Sequence, residues 1–129
     1  MVGFGGRTMQ GLSLILIALG LLIASASPVL AHAHLKTSQP VAGSTVETAP
    51  TELTLWFTER LEPAFCSVKV IDGTGNRVDL GKAAHDAADP TVLHVALGPL
   101  SSGGYKIVWR VVAVDGHAMT GTFAFTVAP

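Results

Sequence analysis

The stretch Tyr105-Lys-Ile-Val-Trp-Arg-Val-Val-Ala-Val114 is the longest strand-like segment of the chain, and it decides the predicted fold. Apolar residues at its odd positions, such as Ile107 and Trp109, alternate with a mixed set that includes Lys106 and Arg110. Successive side chains of a β-strand point to opposite faces of the sheet. The stretch therefore predicts a long strand with one apolar, buried face and one mixed face.

Shorter segments with the same period of two lie on both sides of this strand. They are residues 52–58, 67–71, 91–97 and 123–127, with further short candidates at 34–38 and 76–80. Turns such as Asp72-Gly-Thr-Gly75 and Leu100-Ser-Ser-Gly-Gly104 separate them, because glycine tolerates the positive φ of tight turns. About seven short strands predict an all-β fold, a single β-sandwich. Residues 82–89 fit either a helical turn or a loop.

The first 31 residues differ from the rest and have the features of a secretory signal peptide. Arg7 precedes an uncharged apolar run at 12–24, and small residues follow in Ser25-Ala-Ser-Pro-Val-Leu-Ala31. The apolar run is short for a stable membrane span, and the proline favours a cleavage region. We expect cleavage after Ala31, which leaves residues 32–129 as one domain in the periplasm or the extracellular space. An uncleaved membrane anchor is the alternative.

The charge and the cysteine content limit the partners of this domain. Lys and Arg number eight in the chain, or seven without Arg7, against nine Asp and Glu, so no basic stripe is available for nucleic acid. The single cysteine, Cys66, cannot form an internal disulfide, and its apolar neighbours Phe65 and Val68 favour a packed, inert thiol over a metal ligand. We expect a monomer with no nucleic-acid partner.

Histidines cluster at two places in the predicted domain. His32 and His34 lie at its amino terminus, and His117 follows Asp115 by two residues. Residues i and i+2 of an extended chain project to the same side, so Asp115-Gly-His117 at the end of the long strand can present a carboxylate and an imidazole together. Alone, this triplet is weak evidence for a metal site, because Asp-Gly is also a common turn.

Cleavage after Ala31 would make His32 the terminal residue of the exported chain. A terminal histidine offers its α-amine and a ring nitrogen to one ion as a closed chelate, which no internal histidine can do. Nitrogen and oxygen donors in a tetragonal arrangement suit copper(II). The amine, with a reference pKa of about 7.7–8.0, must lose its proton to bind, so affinity should weaken in acid. The competing interpretation is a solvated, disordered terminus.

The domain resembles the CopC family in its start, His32-Ala-His-Leu-Lys-Thr-Ser-Gln-Pro40, and in Tyr105-Lys-Ile-Val-Trp-Arg-Val-Val-Ala-Val-Asp-Gly-His117 with the Gly-Thr-Phe-Ala-Phe-Thr-Val127 that follows. The resemblance spans essentially all of residues 32–129. It implies a periplasmic copper carrier with a Greek-key β-sandwich or barrel, similar to cupredoxins and immunoglobulin domains. It also implies one copper(II) ion with His32, Asp115 and His117 as ligands, and a CopD-type membrane copper transporter as its recipient.

Two roles are open for His34. The amine, two deprotonated backbone amides and the His34 imidazole could wrap the ion in competition with the set above; we favour His34 as an auxiliary ligand. Cleavage after Ala33 would instead make His34 the terminal residue. Family members with a Met-rich loop also bind copper(I), and this chain departs from them because Met119 stands alone in the domain. We expect no dedicated copper(I) site.

The leading functional hypothesis is a copper(II) buffer or delivery protein with no catalytic step, and therefore not an enzyme. The alternative is a histidine-brace copper oxidase resembling lytic polysaccharide monooxygenases, which the short chain and the Asp115 carboxylate disfavour. A third hypothesis is an adhesion domain whose histidines bind no metal. His85, expected in a polar loop, and His94, expected to face solvent, are assigned no metal role in any of these.

Overall fold

A computed structural model of the chain describes Gly3 and residues 34–129. The chain divides into two units, Met1–Leu30 and Ala31–Pro129, and the second contains all of the strands described below. Apart from Gly3, the predicted signal peptide lies outside the described residues, and so does His32. Within the described part of the chain, no helix is long and apolar enough to span a bilayer.

Residues 34–129 form eight β-strands and one short 3₁₀ helix, Pro63–Phe65. The strands are β1 Leu35–Gln39, β2 Thr45–Val46, β3 Glu52–Phe57, β4 Ser67–Ile71, β5 Ala84–His85, β6 Val92–Ala96, β7 Gly103–Val112 and β8 Ala118–Val127. They make two four-stranded sheets, sheet A in the order β1-β3-β6-β5 and sheet B in the order β2-β8-β7-β4. Every pair is antiparallel except β2 with β8. The predicted all-β sandwich is confirmed.

The core lies between the two sheets and uses the residues that the alternation selects. Leu53, Leu55 and Phe57 of β3 are buried, and so are the odd positions of β7 from Tyr105 to Val111. The rings of Phe57 and Trp109 meet edge to face, with centroids 5.3 Å apart and planes at 74°. This pair links sheet A to sheet B across the core.

Two segments differ from the sequence-based expectation. Residues 76–80 form no continuous strand, because they cross from one sheet to the other: Val78 donates its N–H to Val70 of sheet B, and Leu80 donates to Ala96 of sheet A. Residues 82–89, expected to be a helical turn or a loop, contain the edge strand β5, which pairs with β6 through Ala84 and His85. One expected strand, 76–80, is absent and two two-residue strands, β2 and β5, are gained, so the total is eight and not about seven.

Candidate metal centre

Asp115 and His117 lie in the turn between β7 and β8, not on an extended strand as predicted. The N–H of Ala113 donates to the carbonyl oxygen of His117, and the N–H of Gly116 donates to that of Ala113, both at 2.9 Å. Gly116 has a φ of +91°, in the left-handed region that disfavours other residues. Glycine is therefore needed here to close the turn, and not only to keep a side chain away from the two flanking ones.

The turn brings a carboxylate and an imidazole into direct contact. Oδ1 of Asp115 accepts the backbone N–H of His117 at 3.0 Å, and Oδ2 lies 3.1 Å from Nδ1 of His117. About half of each side chain is exposed, 48% for Asp115 and 56% for His117. With its proton on Nδ1, directed at the carboxylate, the imidazole carries its lone pair on Nε2. A metal needs that lone pair, and carboxylate partners commonly orient metal-binding imidazoles in this way.

The segment after β3 places the start of the domain at the same end of the sandwich as this turn. The N–H of His34 donates to Oγ1 of Thr58, and the N–H of Thr58 donates to the carbonyl oxygen of His34, both at 2.9 Å. Two residues further on, the carbonyl oxygen of Arg60 accepts the N–H of Val114 at 2.9 Å. One short segment thus holds the chain entering β1 on one side and the residue preceding Asp115 on the other.

The structure brings together only part of the predicted ligand set. Asp115 and His117 are in contact, His34 is exposed at the start of β1, and His32 lies outside the described residues. Among residues 34–129, no three His, Cys, Asp or Glu side chains converge in a manner that could hold a metal ion. In the predicted ligand set, the remaining donors come from His32.

The two candidate sulfur ligands, Cys66 and Met119, have the environment expected of structural residues. Cys66 is half-buried, its Sγ lies 3.2 Å from the carbonyl oxygen of Glu62, and burial raises the pKa of the thiol. The thiolate, which is the form that binds metal, is disfavoured there. Met119 is partly buried and packs against the core.

The remaining two histidines have surroundings that were not foreseen. His94 lies on the outer face of β6 as predicted, but its imidazole is 28% exposed and contacts the carboxylates of Glu52 and Asp86. His85 belongs to β5 and not to a loop, and its Nε2 is buried without a hydrogen-bond partner among the described residues. The contact of His94 with Glu52 could have been anticipated in part, because the period of two in β3 and β6 places both residues on the same outer face.

Comparison with known proteins identifies the relatives of the chain. The sequence model of the CopC domain family matches residues 35–128 of this chain. Copper resistance protein C of Escherichia coli is 36% identical over 115 residues, which are 84% of this chain and 90% of that protein. The copper transport protein CutJ of Bacillus subtilis is 31% identical over 98 residues, which are 75% of this chain but 18% of CutJ.

Solved structures agree with the sequence comparison. The crystal structure of CopC from Methylosinus trichosporium OB3b superposes with a TM-score of 0.71 at 34% identity, and the match covers 76% of this chain and 95% of that one. The methionine-rich copper resistance protein PcoC of Escherichia coli superposes with a TM-score of 0.66 at 36% identity. Family model, relatives and fold lead to one conclusion: the chain belongs to the CopC family.

Proposed function

We propose that this protein binds one copper(II) ion outside the cytoplasmic membrane and buffers it or delivers it to a membrane partner. The observation that carries the proposal is the contact of Asp115 with His117 in an exposed turn, at the end of the sandwich where the domain begins. The names of relatives, which include copper resistance and copper transport proteins, support a role in handling copper.

The proposed ligands are the α-amine and imidazole of His32, Nε2 of His117 and the carboxylate of Asp115. Three nitrogens and one oxygen suit the tetragonal preference of copper(II). Asp115 would change its partner when the metal binds, because a carboxylate that accepts from Nδ1 lies on the far side of the ring from an ion at Nε2. In the metal-free turn it orients the imidazole, and as a ligand it would contribute negative charge beside the divalent ion.

The position of His34 argues against the wrapping mode, in which backbone amides bind the metal. That mode would deprotonate the amide nitrogen of His34 and turn it towards the ion. In the structure this N–H donates to Thr58 Oγ1, and the His34 carbonyl oxygen accepts from the Thr58 N–H. Wrapping would break this pair of hydrogen bonds and detach the start of β1, so the fold favours an auxiliary role for the exposed His34 side chain.

The chemistry of the domain favours copper(II) over copper(I). Copper(I) prefers thiolate and thioether ligands. Here the thiol of Cys66 has a raised pKa and Met119 packs on the core, and neither lies in the turn that carries Asp115 and His117. Half-exposed ligands also allow an incoming partner to displace them one at a time, which suits a carrier whose recipient is a CopD-type transporter.

The first experiment determines the amino terminus of the exported protein by mass spectrometry and then titrates it with copper(II) against a competing chelator. We expect a chain that begins at His32 and binds one equivalent. His117→Ala, and a form with one extra residue before His32, should each weaken binding by at least about tenfold, or about 1.4 kcal/mol. His94→Gln serves as the control, since it removes an imidazole from the outer face of sheet A and leaves the turn with Asp115 and His117 unchanged. An extended form that binds as tightly as the natural one would refute the proposed site.

Electron paramagnetic resonance of the one-to-one complex then tests the ligand set. We expect a tetragonal copper(II) spectrum with nitrogen couplings that diminish in His117→Ala. Asp115→Asn should keep the nitrogens but weaken binding, because an amide lacks the charge of the carboxylate. Rapid hydrogen peroxide production with ascorbate, or oxidised sugar products, would instead favour the copper oxidase.

A further inference from the structure

The outer face of sheet A carries a histidine placed between two carboxylates from different strands. Nδ1 of His94, on β6, lies 2.9 Å from Oε1 of Glu52 on β3. Nε2 of the same ring lies 2.7 Å from Oδ1 of Asp86, which directly follows β5. The hydroxyl of Thr54 adds contacts of 3.1 Å to His94 Nδ1 and 3.4 Å to Glu52 Oε1. The ring therefore spans the sheet from β3 across β6 to the segment at its edge.

Only the protonated ring can satisfy both contacts. A neutral imidazole has one N–H and one lone pair, so it can donate to only one of the two carboxylates, and the hydrogen bond that remains is weaker because the ring has lost its charge. The imidazolium donates from both nitrogens. The hydrogen bond with Asp86 raises the pKa of His94, burial acts against the rise, and Glu52 adds to it. The same hydrogen bond, with that from the Ala88 N–H, lowers the pKa of Asp86.

These two carboxylates are the charged groups that face the ring from the neighbouring elements. Ala84 of β5 lies directly opposite His94 and carries no charge. The flanking outer positions of β6, Val92 and Ala96, are also uncharged. Further along the segment, Asp89 interacts with Lys36 and with Asp86, but it does not contact the ring.

The segment held by the ring has few other attachments. β5 is two residues long and forms the edge of sheet A, where Ala84 pairs with His94 and His85 pairs with Leu93. The next backbone hydrogen bond runs from the N–H of Asp86 to the carbonyl oxygen of Val92, at 2.9 Å. Strand edges with so few backbone hydrogen bonds open at low free-energy cost. The side-chain bridge to His94 is therefore a sizeable part of what holds this edge.

We propose that His94 is a proton-operated latch, which as the imidazolium ties the segment from Ala84 to Asp89 to strands β3 and β6 and on deprotonation loosens it. Loosening would uncover the outer backbone edge of β6. It would also bring water to Nε2 of His85, which is buried without a hydrogen-bond partner among the described residues. The latch is separate from the proposed copper site, so metal-free protein is sufficient to test it.

The sign of the effect follows from the direction of the two pKa shifts. A raised pKa of His94 means that its contribution is complete below the ordinary histidine value of 6.5 and disappears as the pH rises through the folded value. A lowered pKa of Asp86 means that its contribution is complete above 3.8 and disappears as the pH falls through the folded value. The latch is closed in mildly acidic solution and opens towards alkaline pH.

Nuclear magnetic resonance of the metal-free protein tests the latch directly. Ring ¹⁵N shifts follow the protonation of His94, and solvent exchange gives the protection factor of the residue 86 amide from pH 5 to 9. We expect a His94 midpoint above 6.5 and a fall in protection of about two- to fivefold across it, the range for partly exposed ion pairs. Asp86→Asn and Glu52→Gln should each lower the midpoint, and Asp86→Asn should flatten the protection profile. Asp72→Asn, which removes a carboxylate beyond β4 of sheet B, should change neither.

Two results would overturn the latch. One is a His94 midpoint at or below that of an exposed histidine. The other is protection at residue 86 that stays constant while His94 titrates, because the bridge would then not control the edge. Both carboxamide variants retain the shape of the residues they replace, so the protonation of the ring can be followed in folded protein.

Discussion

The β7–β8 hairpin, which carries two of the proposed copper ligands, depends on a glycine packed against a tryptophan. Gly121 of β8 lies directly opposite Trp109 of β7. A Cβ atom built at Gly121 would lie 2.5 Å from Cε2 and 2.9 Å from Nε1 of the indole, whereas ordinary contacts are 3.4–4 Å. In Gly121→Ala the ring must therefore move by about 1 Å, or the strands must separate.

The indole cannot make this movement without cost. Trp109 is 7% exposed and also packs against Phe57, which is 2% exposed. Overpacking of this kind costs roughly 1–3 kcal/mol, and we expect about 2 kcal/mol for Gly121→Ala. For a domain of this size, that corresponds to a fall of roughly 8–16 °C in Tm.

Thermal and urea unfolding, followed by tryptophan fluorescence and circular dichroism, measure the loss. Gly104→Ala is the matched control, because Gly104 lies on the adjacent strand of the same sheet and a Cβ built there has no neighbour within 4 Å. It should leave Tm almost unchanged. In a double-mutant cycle, Trp109→Phe should remove part of the penalty of Gly121→Ala. If Gly121→Ala were as stable as the natural protein and kept the indole in place, the packing argument would be wrong.

Three further predictions concern separate contacts. Thr58→Val removes the acceptor of the His34 N–H and should weaken copper(II) binding by about fivefold, or about 1 kcal/mol, while Thr122→Val on the outer face of β8 should have no effect in the same titration. Asp79→Ala should cost about 1–3 kcal/mol in urea unfolding, because the carboxylate, 1% exposed, accepts a backbone N–H from β4. Burial alone would raise the pKa of Asp79 but hydrogen bonds lower it, so its contribution is present above 3.8 and should vanish as the pH falls through the lowered folded value. Cys66 should react with iodoacetamide at pH 7 more slowly than free cysteine, since its raised pKa keeps the thiol protonated; alkylation at the free rate would contradict this environment.

Alternation along the chain was sufficient to predict the sandwich, because each long strand buries one face. Ile107 and Trp109 are both at most 7% exposed, and their neighbours Lys106 and Arg110 are exposed. β5 could not be found in this way. A two-residue edge strand has no period to detect, and it exists because β6 offers it an unpaired backbone edge.

The proximity of Asp115 and His117 was predicted from the sequence, but the local geometry that produces it was not. Asp115 and His117 were expected to share one side of an extended strand, and the structure instead places them in a turn closed by Gly116 at positive φ. Both arrangements bring the side chains together, so the contact was expected, and the metal-binding role of the two residues stays a prediction. The side-chain partners of His94 come from β3 and from the segment that follows β5, and pairings between distant strands are set by sheet register, which the sequence does not display.

The two ends of the proposed copper site differ in how firmly the fold holds them, and this difference bears on how metal would be released. The Asp115 and His117 end belongs to a hairpin fixed by ten register pairs and by the buried Trp109. The other end reaches the sheet through His34, which precedes β1 and is held by two hydrogen bonds with Thr58, one to its side-chain Oγ1 and one from its backbone N–H. Since stability is lowest where backbone hydrogen bonds are few, the terminal end should open first and leave copper on the hairpin. A recipient would then need to compete with only one carboxylate and one imidazole, both half-exposed, to take the ion.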